Sequence, residues 1–235
     1  MRQLAGVLVA ASCVLGSTAL ADSTNRFGFA GPEVFPIDWG TTFLRNADFD
    51  GDGLIDLIVV NNARSRLTLL YNRTGQTNAP DTKPKVGRRD VNELPADARF
   101  RIESISSEKR ISCLSVADLN GDQRPDLAYF GEPRELIVQY NQGTNGWSQP
   151  KRWPLEDGLL DGNALSTGDI DGDQRVDVLL LAEKHLYVLR QKKDGTLAEP
   201  ERIPYAGSVK AAQVLDIDGD KRDDLLLINW DSANP

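Results

Sequence analysis

A nine-residue pattern with a carboxylate or carboxamide side chain at positions 1, 3, 5 and 9 occurs four times in this 235-residue chain. The copies occupy residues 48–56, 118–126, 169–177 and 216–224, and each has a glycine at position 4. Four oxygen-bearing side chains packed into one tight loop would repel one another strongly without a cation. Such hard oxygens are the ligands that Ca²⁺ selects, at about six to eight per ion. The pattern therefore predicts four calcium-binding loops.

The predicted loop differs from the calcium loop of an EF-hand, which also begins with oxygen ligands at positions 1, 3 and 5. An EF-hand requires glycine at position 6 and a bidentate glutamate at position 12. Here the glycine is at position 4, and position 12 holds Val59, Tyr129, Leu180 and Leu227 in turn. Successive copies lie 70, 51 and 47 residues apart, which excludes the nonapeptide repeat of a β-helix.

A short apolar run follows each loop directly, at residues 57–60, 127–130, 178–181 and 225–228. Continuous apolar runs bounded by turn residues predict strands that are buried on both faces. Each loop therefore connects two strands. Two further strands follow in each of the first three units, the last marked by residues 147–150 and 197–200 in the second and third units. Four-stranded units of about fifty residues are typical of propeller blades.

A strand–calcium loop–strand hairpin repeated at this spacing resembles the FG-GAP/VCBS repeat family, best known from the β-propellers of integrin α subunits. The resemblance covers roughly residues 29–230. It implies about four Ca²⁺ ions, each bound by side-chain oxygens from positions 1, 3, 5 and 9 and a backbone carbonyl from position 7. The implied ligands are Asp48, Asp50, Asp52, Leu54, Asp56, Asp118, Asn120, Asp122, Arg124, Asp126, Asp169, Asp171, Asp173, Arg175, Asp177, Asp216, Asp218, Asp220, Arg222 and Asp224.

The fold class that follows is all-β, a β-propeller of four-stranded antiparallel blades. The sequence provides an incomplete set: a closing strand at residues 29–37, three blades, and half of a fourth ending with the run at 225–228. Such an open arc is expected to self-associate, whereas a monomer of residues 22–235 with a cooperative melt would show that four units close on themselves. A polar stretch at residues 73–98 predicts an inserted loop on the side of the calcium loops.

The first 21 residues predict a secretory signal peptide. Arg2 supplies the positive start, an apolar segment follows, and residues 19–21 form a small-residue cleavage site. The alternative of lipidation at Cys13 is disfavoured because Ala10 stands where a bulky aliphatic residue is expected. The mature chain, 22–235, is expected to be secreted, periplasmic or on the cell surface, without membrane insertion. Its one remaining cysteine, Cys113, is predicted to be a small buried apolar residue.

The acidity of the chain is explained by the loops. Without Arg2, 26 basic and 35 acidic residues remain, and fifteen of the acids occupy the predicted ligand positions. Four Ca²⁺ ions would bring the folded protein close to neutrality. No basic stripe with interleaved aromatic residues is present in the sequence, so a nucleic-acid partner is not expected.

The sequence favours a non-enzymatic binding or scaffold module over an enzyme. The only histidine, His185, lies at the start of a predicted strand, where a packing role is favoured over that of a general base. The alternative is that the chain is the propeller portion of a larger secreted hydrolase or polysaccharide lyase. By resemblance, ligands contact the face opposite the calcium loops. The residues predicted there, for an unknown protein or anionic glycan, are Asn62, Arg64, Arg134, Lys184 and Trp230, with solvated turn charges as the other interpretation.

Overall fold

The computed structural model describes Phe35 and residues 37–75, 98–220 and 222–229. The predicted signal peptide, most of the strand predicted at 29–37, most of the loop predicted at 73–98, and Trp230 lie outside the described residues. Within the described ranges, no helix is long and apolar enough to cross a membrane.

The described residues form three four-stranded antiparallel sheets and one two-stranded sheet, with neighbouring strands in chain order. The first sheet contains β1 (Thr41–Ala47), β2 (Asp56–Asn61), β3 (Arg66–Asn72) and β4 (Phe100–Ser106). The second contains β5 (Arg110–Ala117), β6 (Asp126–Glu132), β7 (Glu135–Gln139) and β8 (Lys151–Pro154), with a 3₁₀ turn at Gly143–Asn145. The third contains β9 (Leu165–Gly168), β10 (Asp177–Leu181), β11 (His185–Leu189) and β12 (Glu201–Pro204), and the fourth β13 (Val209–Leu215) and β14 (Asp224–Asn229).

These sheets confirm the predicted all-β class of propeller-type blades, with three whole blades and half of a fourth. In each whole blade the second strand is the apolar run that follows the nonapeptide. All five residues of β10 are buried. Such a strand carries apolar side chains on both faces because a neighbouring sheet covers each face.

The core lies between successive blades. One apolar cluster joins the first and second blades, with Ile58 and Leu69 packed among Leu127 and Tyr129. A second cluster continues from the second blade through the third to β13. Cys113 is fully buried in that cluster, as predicted, and burial raises the pKa of its thiol to about 12.

The fourth strand of a blade begins later than the sequence predicted. The segments at 147–150 and 197–200 were expected to lie in this strand, but regular pairing starts at Lys151 and Glu201. Before that point only isolated bridges form, between Asn141 and Trp147 and between Gln191 and Leu197. Each segment ends in a proline, which has no N–H to donate to a ladder, so regular pairing follows it.

Truncation of a side chain between blades should destabilise the protein far more than truncation on an outer surface. Leu179→Ala removes a fully buried side chain of β10 and should cost about 2–5 kcal/mol in the free energy of unfolding. Leu44→Ala is the matched control because that leucine is 57% exposed, and its cost should stay near 0.5 kcal/mol or below. Chemical denaturation measures both; equal losses would contradict the packing described above.

Candidate metal sites

Each nonapeptide forms the turn between the first and second strands of its blade. In three of the four loops, carboxylate oxygens from positions 1, 3 and 9 lie within 4.8 Å of one another. These groups are Asp48, Asp50 and Asp56; Asp169, Asp171 and Asp177; and Asp216, Asp218 and Asp224. The structure therefore brings together three of the four side-chain positions predicted to bind a cation.

The aspartate at position 1 organises the loop backbone. In the first loop Asp48 Oδ1 accepts the N–H groups of Gly51 (2.7 Å) and Asp52 (3.2 Å), and Oδ2 accepts that of Gly53 (2.9 Å). The second and third loops repeat these contacts. The turn requires a left-handed residue at position 4, where Gly51 has a φ of +78°. Glycine adopts that conformation without strain, which explains its presence in all four copies.

The aspartate at position 9 joins the loop to the end of the third strand. In the first blade Asp56 is fully buried; its Oδ2 accepts Phe49 N–H (2.9 Å) and its Oδ1 accepts Asn72 N–H (2.6 Å). Asp126 and Asp177 make the same pair of contacts in the next two blades. The sequence predicted a metal ligand here, but gave no sign of this second role.

Burial and mutual repulsion make the loops unfavourable sites for negative charge. Burial is the main cause that raises the pKa of Asp126 to about 7 and that of Asp177 to about 6, and neighbouring aspartates add to the effect. The pKa values of Asp50 and Asp56 are raised by the same two causes. A divalent cation would stabilise these carboxylates in their charged form. The donor set of grouped carboxylate oxygens therefore fits a hard cation such as Ca²⁺.

Position 5 lies outside the three-carboxylate groups because its side chain caps the loop backbone. Asp122 Oδ1 accepts Arg124 N–H (3.0 Å), and the third and fourth loops repeat the contact at 3.0 and 2.8 Å. The arginine at position 7 also forms an ion pair with position 5 in these three loops. The carbonyl oxygens of Leu54, Arg124, Arg175 and Arg222 stay predicted ligands.

The second and third loops differ from the first at position 3, the second in the charge of the side chain and the third in its ion pair with an arginine. Asn120 carries no charge; its Nδ2 donates to Asp122 Oδ2 (3.1 Å), and its Oδ1 accepts Asp122 N–H (2.9 Å). In the third loop Arg190 Nε lies 3.1 Å from Asp171 Oδ2. The four loops are therefore electrostatically unequal, although their backbone contacts are similar.

Each of the first three loops also contacts the repeat that follows it in the chain. Asn141 of the second blade donates from Nδ2 to the carbonyl oxygen of Phe49 in the first loop (2.8 Å). Gln191 of the third blade donates to the carbonyl oxygen of Asp118 in the second loop (3.3 Å). In the fourth repeat, Asp223 Oδ2 accepts Asp169 N–H of the third loop (2.8 Å).

Sequence reasoning missed these linking residues. The available signal was a carboxamide side chain two places beyond the third strand in two successive blades, at Asn141 and Gln191. Both are buried, at 4% and 3% exposure. A buried carboxamide needs hydrogen-bond partners, and here the partner is the backbone of the preceding loop.

The residues predicted for the ligand face have varied environments. Asn62 forms two hydrogen bonds with the backbone of Ile111. Its Nδ2 donates to the Ile111 carbonyl oxygen (2.9 Å), and its Oδ1 accepts the Ile111 N–H (2.8 Å), so it joins the first two blades. Arg134 donates to the carbonyl oxygen of Glu156 (2.7 Å). Arg64 lies 4.0 Å from Asp38, and Lys184 is exposed. Asn62 thus has a structural role, and ligand binding by the remaining residues stays a prediction.

His185 packs within the third blade. Its ring contacts that of Tyr187 edge to face at 4.6 Å, and its Nε2 lies 3.5 Å from Asp157 Oδ2. The Tyr187 hydroxyl donates to the same carboxylate, which lowers the pKa of Asp157. These contacts agree with the predicted packing role.

Comparisons with known proteins give one family and several distant structures. The family model described as FG-GAP-like repeat matches residues 118–180 and 169–227. None of the curated protein sequences matches the chain. A chain of the Photorhabdus luminescens Tc holotoxin pore is similar over 82% of this chain and 9% of its own length, with 17% identity and a TM-score of 0.47.

Two further solved structures are more distant. The TcdB2-TccC3-Cdc42 structure is similar over 81% of this chain and 14% of that chain, with 12% identity and a TM-score of 0.38. BBS1N in complex with ARL6DN matches over 78% of this chain and 73% of that chain, with 12% identity and a TM-score of 0.34. This chain thus spans a small part of the two toxin chains. The family match agrees with the nonapeptide pattern and its loop geometry: residues 118–227 consist of FG-GAP-like repeats, as the resemblance predicted.

Proposed function

We propose that this chain is an exported, calcium-stabilised propeller module that binds or scaffolds a partner and is not itself an enzyme. The observation that carries the calcium role is the grouping of carboxylates from positions 1, 3 and 9 within 4.8 Å in three loops. Export is supported by the signal-peptide pattern at residues 1–21. Outside the cell, millimolar calcium would then be available to the loops. Extracellular modules bind calcium with Kd values of about 10⁻⁴–10⁻³ M.

The role of the ion would be structural. In each loop the carboxylates at positions 1 and 9 already hold the backbone, and the ion would neutralise their repulsion. A site filled by protein oxygens lacks the open position that metal-assisted catalysis requires. The partner is proposed to be a protein or an anionic glycan, recognised outside the calcium loops. Loops fixed by ions and by the next blade would give such a partner a rigid surface.

Removal of calcium should lower the melting temperature strongly. At a tenfold excess of free Ca²⁺ over Kd, each site contributes about 1.4 kcal/mol by mass action, so several sites together contribute about 5 kcal/mol. For a domain of this size that corresponds to a fall of roughly 10–20 °C. Differential scanning calorimetry with and without a chelator measures the shift, and Mg²⁺ at equal concentration is the control. An unchanged melting temperature would rule out structural calcium.

The loop with asparagine at position 3 should bind calcium most weakly. Asn120→Asp adds the missing charge and should raise the affinity of the second loop, while Asp171→Asn should lower that of the third by about tenfold. Asp194→Asn is the control because that carboxylate lies in an exposed turn outside the loops. Isothermal titration of calcium-free protein separates the sites. The charge argument is wrong if Asp171→Asn and Asp194→Asn have the same effect.

A further inference from the structure

A polar cavity of about 230 Å³ lies where the first strands of all four repeats meet. Its wall includes side chains from β1, β5, β9 and β13 and from the turn before β9. In every repeat, the residue three places before the first aspartate of the loop lines this cavity. The four residues at that position are Arg45, Ser115, Ser166 and Gln213, all polar.

The preceding position is apolar in every repeat and is buried in three of the four. These three residues, Leu114, Leu165 and Ala212, also line the cavity. Polar side chains at a strand position packed between four sheets need hydrogen-bond partners from the protein or from a ligand. Exposed Asn163 and Gln213 stand at its margin, which leaves the cavity open to solvent.

A β-bulge directs the arginine of the cavity wall, Arg45, into the cavity. The pairing of β1 with β2 shifts by one residue between Thr42 and Arg45, and Phe43 within the bulge has a φ of +52°. Because side chains alternate between faces, one inserted residue moves the following residues to the opposite face. Arg45 therefore lines the cavity beside Ser115 and Ser166.

The hydrogen bonds of the wall leave donor capacity for a ligand. Ser115 Oγ and Thr167 Oγ1 are 2.9 Å apart, so one hydroxyl donates to the other and the second proton is available. Ser166 Oγ accepts Val214 N–H (3.1 Å) and keeps its own proton to donate. Arg45 donates to the carbonyl oxygen of Leu44 (3.0 Å), and in the described part of the chain its guanidinium forms no ion pair.

The charge of the cavity is opposite to that of the protein. Arg45 is the one charged residue in its wall, in a chain of net charge −8. The nearby acid Asp161 is exposed, and its Oδ1 accepts Asn163 N–H (2.9 Å). An arginine that shares a cavity wall with hydroxyl and carboxamide side chains suits a carboxylate, because a guanidinium binds a carboxylate with two parallel hydrogen bonds.

We infer that this cavity binds a small hydroxylated carboxylate, of the size of a single sugar acid. The guanidinium would bind the carboxylate, and the serine, threonine and carboxamide groups would bind hydroxyls, since each both donates and accepts. The volume is below the roughly 300–1,000 Å³ typical of pockets for drug-sized ligands, which limits the ligand to about one ring. The choice of ligand rests on the binding role proposed above, whereas the cavity and its charge do not depend on calcium.

The first test is a titration of the calcium-loaded full chain with D-glucuronate, D-glucose and acetate. Ligand-observed NMR and isothermal titration should show saturable binding of glucuronate and at least tenfold weaker binding of glucose and acetate. No binding of glucuronate at millimolar concentration would overturn the inference. Equal binding of acetate and glucuronate would also overturn it, because the hydroxyl contacts would then contribute nothing.

Substitution of Arg45 should distinguish glucuronate binding in the cavity from binding elsewhere on the protein surface. Arg45→Gln should weaken glucuronate binding about 10- to 100-fold and leave weak glucose binding unchanged, because a charged hydrogen-bond pair is lost. Arg110→Gln is the matched control, since Arg110 is an exposed guanidinium at the start of β5 and does not line the cavity. Equal effects of the two substitutions would contradict the assignment. Gln213→Ala, at the exposed margin, should cause a smaller loss.

Calcium titrations of the same variants keep the two proposals distinguishable. Arg45→Gln should retain the calcium stoichiometry and the calcium-dependent melt of the parent protein, because Arg45 lies outside the loops. Loss of glucuronate binding with calcium binding intact would then report on the cavity alone. If the parent protein binds no calcium yet still binds glucuronate through Arg45, the calcium role fails and the cavity inference stands.

Discussion

The buried aspartate at position 9 is the interaction on which the rest of the blade depends. Its two oxygens accept N–H groups from opposite sides, one from the second residue of the loop and one from the end of the third strand or two residues beyond it. One side chain thus fixes the loop, the second strand that it begins, and the third strand. Its burial is unfavourable for a charged group, so the loop requires a compensating charge. The same residue therefore holds the strands together and carries the buried negative charge.

The same balance explains why a glycine at position 4 stands among the acidic residues of every loop. Position 1 collects three backbone N–H groups, which is possible only if the chain turns tightly through left-handed conformations. These hydrogen bonds satisfy the backbone but concentrate negative charge. Arginines at position 7 of the last three loops offset part of that charge by pairing with position 5. The loops are arranged by their backbone first, and the side-chain charges then determine how strongly each attracts a cation.

Much of this fold could be predicted from local sequence. The apolar runs after position 9 predicted β2, β6 and β10 because doubly buried strands leave an unambiguous pattern. The same pattern predicted β14 as a strand, but its predicted burial on both faces was wrong, since Leu225 and Leu226 are exposed. The start of the fourth strand was predicted too early because Trp147 and Leu197 form only isolated bridges, with partners that lie two residues beyond the third strand. The carboxylate grouping was predicted, but the dual role of position 9 was not, since hydrogen bonds to distant backbone atoms leave no spacing signal. Asn62 was assigned to a ligand face for the same reason: its partner, Ile111, lies 49 residues away.

The contacts between blades have a direction. Asn141, Gln191 and Asp223 each reach back from one repeat to the loop of the repeat before it. The unit that completes the hydrogen bonds of a loop is therefore displaced by one blade from the unit that forms a sheet. A gene segment encoding one four-stranded blade would carry a loop without the side chain that supports it, together with a supporting side chain whose loop lies in another segment. Duplication or exchange of repeats preserves these contacts only when neighbouring blades remain matched, so the order of blades is itself constrained by chemistry.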